Sequence, residues 1–171
     1  MTTVAYSDGI MASDSKCTND GYFTTKAQKI YPLANNTLFG AAGDADTRAV
    51  RDILGAVRSI NKLPSRQELA DTQSDVVALW VWPNGRVFYV DIYHIDIGAN
   101  DSAWAAQVVE LKERFGAVGS GEQFALGAMA AGKSASQAVA IACRYDSFSG
   151  LPIHTVKLEQ PKRKKPRKKA A

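Results

Sequence analysis

Thr2-Thr3-Val4-Ala5-Tyr6-Ser7-Asp8-Gly9-Ile10-Met11-Ala12-Ser13-Asp14-Ser15 follows Met1 at the start of the chain. Residues 2–7 and 10–15 are short β-prone runs on either side of Ser7-Asp8-Gly9, and this predicts a hairpin. A three-residue loop pairs Tyr6 with Ile10 and Val4 with Ala12, which sets Thr2 opposite Asp14 on one face. A two-residue loop sets Thr2 opposite Ser15 and turns Asp14 to the other side, because a one-residue slip exchanges faces. The sequence leaves both registers open.

Further along, residues 28–33 and 36–42 form a second strand pair around Ala34-Asn35-Asn36. Val50, Ile53, Leu54, Val57 and Ile60 then recur at three and four residues among arginines, which predicts an amphipathic helix over about 44–61 that ends at Asn61 and Pro64. Residues 65–72 hold a further short helix. Residues 76–82 and 86–93 are β-rich around Pro83-Asn84-Gly85. The stretch 94–114 is ambiguous: Ala103 to Arg114 has helix-forming composition but weak periodicity. A short strand at 115–119 leads to two helices. Ser120 with Gln123 and Ser134 with Gln137 fit capping boxes, and Gly132 closes the first helix. Residues 152–158 make a last strand. Hairpins dominate, and the helices fall in two blocks. The expected fold class is therefore α/β (α+β), a sandwich of two mainly antiparallel sheets with a helical layer on each outer face.

A chain of 171 residues, 46% hydrophobic and 22% charged, fits one packed domain, here 1–160. No apolar run reaches the ~18 residues of a membrane helix, and no secretory signal opens the sequence, so the expected location is the cytoplasm without membrane association. Two cysteines, Cys17 and Cys143, give no disulfide framework. The net charge of +4 is uneven. Lys162, Arg163, Lys164, Lys165, Arg167, Lys168 and Lys169 are seven of the 21 basic residues; the rest of the chain keeps 14 against 17 acidic ones. Residues 161–171 read as a disordered tail able to bind nucleic acid or another polyanion weakly and without sequence preference, and no aromatic residue is interleaved to stack on bases.

The familiar catalytic motifs are missing. The sequence has no G-x-x-x-x-G-K-[ST] loop and no G-x-S-x-G elbow, and His94 and His154 lack metal-ligand spacing. Cys143 shares a helical face with Val139 and Ala142 and reads as core. Thr2 is more informative. A small second residue lets an aminopeptidase remove Met1, leaving a hydroxyl and a free amine on neighbouring atoms. That amine has an ordinary pKa of roughly 7.7–8.0 and is a competent base beside its own nucleophile.

Five short motifs then occur in order: Thr2-Thr3-Val4-Ala5, Ala12-Ser13-Asp14-Ser15 with Lys29-Ile30, Gly40-Ala41-Ala42-Gly43-Asp44-Ala45-Asp46, Gly119-Ser120-Gly121, and Asp146-Ser147-Phe148-Ser149-Gly150. Over about residues 2–158 the chain resembles proteasome β-subunits and the bacterial HslV peptidase, within the N-terminal-nucleophile hydrolases. The resemblance implies a four-layer α/β/β/α sandwich and a threonine endopeptidase acting on peptides or unfolded proteins. Thr2 resembles the nucleophile, Lys29 the lysine near its hydroxyl, and Asp14 that lysine's carboxylate partner. Gly40 resembles the oxyanion donor, while Ser120, Asp146 and Ser149 resemble the group that orients the threonine amine. The resemblance places Cys17, Ala27, Leu38 and Ala42 in the specificity pocket, which suggests cleavage after hydrophobic residues, and gives Thr18 the backbone that pairs with an extended substrate. It calls for no cofactor or metal.

The resemblance also implies a self-compartmentalising homo-oligomeric ring and, as a partner, an ATP-dependent unfoldase. Two departures bear on that. The first hairpin is about four residues shorter than in the family, and the second helix of the first layer shrinks to about 65–72. Two other functions compete: a catalytically inactive ring or scaffold protein with a polyanion-binding tail, and an N-terminal-nucleophile amidohydrolase acting on a small amide.

Overall fold

The computed structural model describes residues 2–19, 22–24, 26–44, 46–98 and 101–159. The basic tail, 161–171, lies outside the described residues. Along β1 (Thr3–Ser7), alternate side chains point to opposite faces. Val4 and Tyr6 enter a core shared with Met11, Leu38, Leu79 and Val118, while Ala5 packs with Ala12, Ala125 and Val139 on the other side. Strand β2 (Ile10–Ser13) returns through Asp8 and Gly9, both at positive φ (50° and 80°), so the loop has two residues. Asp-Gly suits that turn because its twist matches the flanking strands. Of the two registers open in the sequence, the structure takes the one in which Val4 pairs with Ser13 and Ala5 with Ala12.

Strands β3 (Cys17–Asn19) and β4 (Tyr22–Thr24) form a small hairpin that the sequence had not signalled. Then come β5 (Ile30–Pro32), β6 (Leu38–Gly43), α1 (Arg48–Ala56), α2 (Arg66–Ala70), β7 (Val76–Val81), β8 (Val87–Gly98), β9 (Asp101–Glu110), β10 (Gly116–Gly119), α3 (Glu122–Ala130), α4 (Ala135–Tyr145) and β11 (His154–Lys157). One sheet has the order β10-β1-β2-β11 and the other β5-β6-β7-β8-β9, with every recorded pairing antiparallel.

Three apolar layers join four structural ones. Val50, Leu54 and Leu69 of α1 and α2 pack on Phe39, Trp80, Phe88 and Val90 of the five-stranded sheet. The two sheets face each other through Val4, Tyr6, Ile30, Leu38, Leu79 and Val81. Helices α3 and α4 cover the four-stranded sheet with mostly alanine, which lets helix and sheet approach closely. The fold is the α/β/β/α sandwich of two mainly antiparallel sheets. Each large side chain removed from water in these layers stabilises it by about 1.5–3 kcal/mol. The Trp80 indole N–H is also satisfied, donating to Thr37 Oγ1 at 2.9 Å.

Three local expectations need correction. Helix α1 is shorter than 44–61: Val57 is already extended, and Asn35 Nδ2 donates to the carbonyls of Leu54 (2.8 Å) and Val57 (3.0 Å), ending the helix. Within the ambiguous stretch, 94–98 and 101–110 are strand, since β9 pairs with β8 from Glu110 back to Asp101. Ser120 does not cap α3, whose N-cap is Gly121 with no side-chain bond. The capping box at Ser134 and Gln137 is present.

Candidate active site

Thr2 lies just ahead of β1, next to the pair formed by Thr3 and Gly119. It is 6% exposed. Gly119 makes that closeness feasible: its φ is +99°, and a Cβ there would fall 2.0 Å from the Thr2 carbonyl oxygen.

Two buried carboxylates flank this point. Asp14 N donates to Thr3 O at 3.1 Å, so Asp14 continues the register opposite Thr3, not Thr2. Its carboxylate is fully buried and accepts four donors. Oδ1 takes Thr3 N at 2.9 Å and Lys29 Nζ at 2.8 Å, and Oδ2 takes the backbone N–H groups of Lys16 and Gly150, both at 3.0 Å. Lys29, one residue before β5, is itself buried and also donates to the Lys16 carbonyl. A buried ion pair offsets its desolvation cost only when its remaining hydrogen-bonding sites are filled, as these are.

The second carboxylate, Asp146, ends α4. Ser149 Oγ and Ser120 Oγ donate to its Oδ2 at 2.6 and 2.7 Å, and Phe148 N donates to Oδ1 at 3.1 Å. Burial works to raise its pKa, but the Ser149, Ser120 and Phe148 donors and the charge of Lys16 outweigh it, holding the carboxyl below the usual range. Ser120 Oγ also lies 3.4 Å from Thr2 O. Thus Thr2, Asp14, Lys29, Ser120, Asp146 and Ser149 gather at one end of the sandwich, although they come from both ends of the chain.

A cavity of about 250 Å³ opens beside Thr2, lined by Cys17, Ala27, Gln28, Lys29, Tyr31, Ala41, Gly43, Asp44 and Thr47. Cys17 and Ala27 were expected there. Gly40, Leu38 and Ala42 do not line it. Gly40 is inside the inter-sheet core, where a Cβ would fall 2.6 Å from Val4 Cγ1 and 2.7 Å from Met11 Sδ. Leu38 belongs to the same core, and Ala42 has the same parity on β6. The glycine and alanine on the cavity are Gly43 and Ala41. Gly40 is three residues from Gly43 and Ala42 one residue from Ala41, and an odd step along a strand exchanges faces.

The backbone alternation of β6 is equally informative. Ala41 N donates to Lys29 O on the β5 side, whereas Asp44 N donates to Asp75 O on the β7 side. Gly43 N–H therefore points to the β5 side, where the cavity lies. Its φ of +114°, and the Asp75 oxygen 2.1 Å from where a Cβ would stand, leave room only for glycine. The signal for this residue was the glycine at the end of the strand, immediately before Asp44. Thr18, in β3, pairs with Phe23 of β4.

Elsewhere, a larger cavity of about 370 Å³ lies at the turn end of β1, between Asp8-Gly9 and Pro83-Asn84-Gly85, and contains none of the expected site residues. Burial pushes the Cys143 thiol up to about 11, so it is no thiolate nucleophile near neutral pH. No described helix is long and apolar enough to cross a membrane.

No protein-family model matches this sequence, and no curated protein matches it. Among solved structures, the chain is similar to Thiobacillus denitrificans BPH in complex with epoxomicin: TM-score 0.60, 20% identity, covering 92% of this chain and 98% of that one. A second structure of Thiobacillus denitrificans BPH aligns over the same shares at 20% identity, with a TM-score of 0.57. At that identity the likeness is one of fold.

Proposed function

We propose that this protein is a threonine endopeptidase of proteasome/HslV type, with Thr2 as its nucleophile once Met1 is removed. The observation that carries the reading is the buried Asp14–Lys29 pair and the Ser120–Asp146–Ser149 cluster on either side of Thr2, next to a side-chain-sized cavity. The epoxomicin bound by the structurally similar Thiobacillus denitrificans protein supports it, since epoxomicin is a proteasome inhibitor.

In this mechanism Thr2 Oγ attacks the peptide carbonyl carbon and its proton passes to the free α-amine. The Lys29 ammonium, held by Asp14, favours the developing alkoxide. The carbonyl oxygen becomes an oxyanion that accepts from Gly43 N–H, a donor in the place first given to Gly40; such a bond acts on charge present only in the transition state. Collapse breaks the C–N bond, the Thr2 ammonium protonates the departing amine, and an ester on Thr2 remains. The freed amine then deprotonates water, which attacks the ester and restores the threonine. Asp146, kept anionic, sustains the hydrogen-bonded cluster behind the amine.

The walls given by Cys17, Ala27, Tyr31 and Ala41 favour an apolar residue before the cleaved bond. Sites that enclose a whole small molecule usually offer about 300–1,000 Å³, so a cavity of about 250 Å³ suits one side chain of a longer substrate better than a complete small amide. Thr18 offers backbone to an extended peptide. The active form is a homo-oligomeric ring fed with unfolded protein in the cytoplasm, with an ATP-dependent unfoldase as its partner.

The test is hydrolysis of a fluorogenic peptide with an apolar residue before the reporter amide. Thr2→Ala is expected to abolish turnover while thermal melting stays close to wild type. A Thr2→Ala protein as active as wild type would reject the mechanism. A wild-type protein that assembles but hydrolyses neither peptides nor small amides is instead an inactive ring or scaffold.

A further inference from the structure

Thr3 has a buried hydroxyl that the mechanism above leaves unused. Its residue is 0% exposed, and its side chain points away from the cavity, toward the α3–α4 layer. Thr3 Oγ1 lies 2.6 Å from Ser149 Oγ. Ser149 has one hydroxyl proton, and that proton goes to Asp146 Oδ2 at 2.6 Å. The Ser149 oxygen therefore accepts, and Thr3 is the donor. The result is a directed chain: Thr3 hydroxyl to Ser149 hydroxyl to the Asp146 carboxylate, which also receives Ser120. Hydrogen bonds aligned head to tail polarise and strengthen one another.

The backbone of Thr3 reaches the other carboxylate, since Thr3 N–H donates to Asp14 Oδ1 at 2.9 Å, the same oxygen that holds Lys29. Thr3 is thus bonded directly to Asp14, reaches Asp146 through Ser149, and is covalently attached to Thr2. The surroundings also leave space for this hydroxyl. Gly121 faces it so closely that a Cβ there would fall 2.1 Å from Thr3 Oγ1 and 3.2 Å from Asp146 Oδ2.

We infer that Thr3 is a positioning residue: its hydroxyl locks Ser149 onto Asp146 and so fixes the polar cluster behind Thr2 in register with the Asp14–Lys29 pair. This rests on the threonine-peptidase reading. Without the hydroxyl, Ser149 is free to rotate off Asp146, and the cluster that meets Thr2 through Ser120 loses its fixed geometry. Substrate contacts on the cavity side are untouched, so the loss falls on turnover and not on binding.

The experiment measures kcat and KM with the fluorogenic peptide for wild type, Thr2→Ala, Thr3→Val and Thr3→Ser. Thr3→Val keeps the branched shape and removes the hydroxyl; it is expected to lower kcat by about 10- to 100-fold, the usual cost of small misplacement at a reacting group, with KM unchanged. Thr3→Ser keeps the donor and is expected to retain most of the wild-type kcat. Should the valine variant not fold, Thr3→Ala and Thr3→Ser both lack the methyl group and differ only by the hydroxyl, so their kcat ratio makes the same comparison. Wild-type kcat in Thr3→Val, a change confined to KM, or equal losses in the hydroxyl-bearing and hydroxyl-free variants would overturn the inference. An unimpaired Thr2→Ala would overturn the peptidase reading, and the Thr3 role with it. An inactive Thr2→Ala alongside a fully active Thr3→Val would overturn the Thr3 role alone.

Discussion

Asp14 and Asp146 are both buried, yet they stabilise the molecule differently. Asp14 accepts from Thr3, Lys16, Lys29 and Gly150, and so ties together β1, the segment after β2, the approach to β5 and the segment before β11. Removing it takes the counter-charge from a buried ammonium and the acceptor from three N–H groups. Removing Lys29 leaves a carboxylate that still has three backbone donors. Asp14→Ala is therefore expected to lower stability by about 3–5 kcal/mol, the cost of breaking a buried pair, and Lys29→Ala by clearly less, although both lose hydrolysis. Urea titration of the two variants checks the order. Asp146 sets a pH expectation. Its folded pKa lies below the ordinary value, so its stabilising effect is complete above the unfolded carboxylate range and is lost only as pH falls through the depressed folded value. An α-amine ordinarily titrates at roughly 7.7–8.0, well above a carboxylate, so activity should fail earlier as pH falls, by about tenfold per pH unit, while the melting temperature holds. A pH–rate profile measured beside thermal melts tests this; parallel loss of both would contradict it. Gly40 and Gly43 also separate cleanly. Gly40→Ala overpacks the core against Val4, Met11 and Ile30, and should cost about 1–3 kcal/mol with little change in turnover per folded molecule.

Among the elements, those with a local chemical signature were legible. The hairpin at Ser7-Asp8-Gly9, though not its register, the Ser134–Gln137 capping box and the apolar stripe of α1 all follow from neighbours in sequence. Features decided by distant partners were not. Helix-forming residues around Ala105 and Ala106 became strand because β8 offers an unbroken ladder opposite them. Ser120 has a capping residue's chemistry, but its hydroxyl is taken by Asp146, 26 residues away in sequence. At the glycine-rich end of β6 the sequence pointed to Gly40, and only the packing of β6 between two faces separates Gly40 from Gly43. The end of α1 is likewise set from outside, by Asn35, whose Oδ1 also accepts from Thr37 Oγ1 at 2.5 Å. Asn35→Ala is expected to lower stability by about 1–3 kcal/mol, because it takes the side-chain donor from the Leu54 and Val57 carbonyls in a part-buried site. Native-state hydrogen exchange should show the last turn of α1 opening first; unchanged protection there would count against the assigned cap.

At the scale of the whole molecule, the sandwich brings residues 3 and 149 together, and this is why the site depends on the complete fold and on no single segment. The sequence conveyed the architecture through hairpin order and two helical blocks; which of its candidate residues stand near Thr2 is decided by the packing, which gathers Asp14, Lys29 and Ser120 there and leaves Gly40 and Leu38 in the core. Deleting residues 161–171 is expected to leave peptide hydrolysis intact and to abolish binding to duplex DNA at low salt, as read by fluorescence anisotropy. Equal DNA binding with and without the tail would contradict that assignment. The most direct test of the central claim is mass spectrometry of the protein after incubation with epoxomicin. The account predicts that Met1 is absent and that the adduct sits on Thr2. Retained Met1, or a fully processed protein that stays unmodified at Thr2, would contradict it.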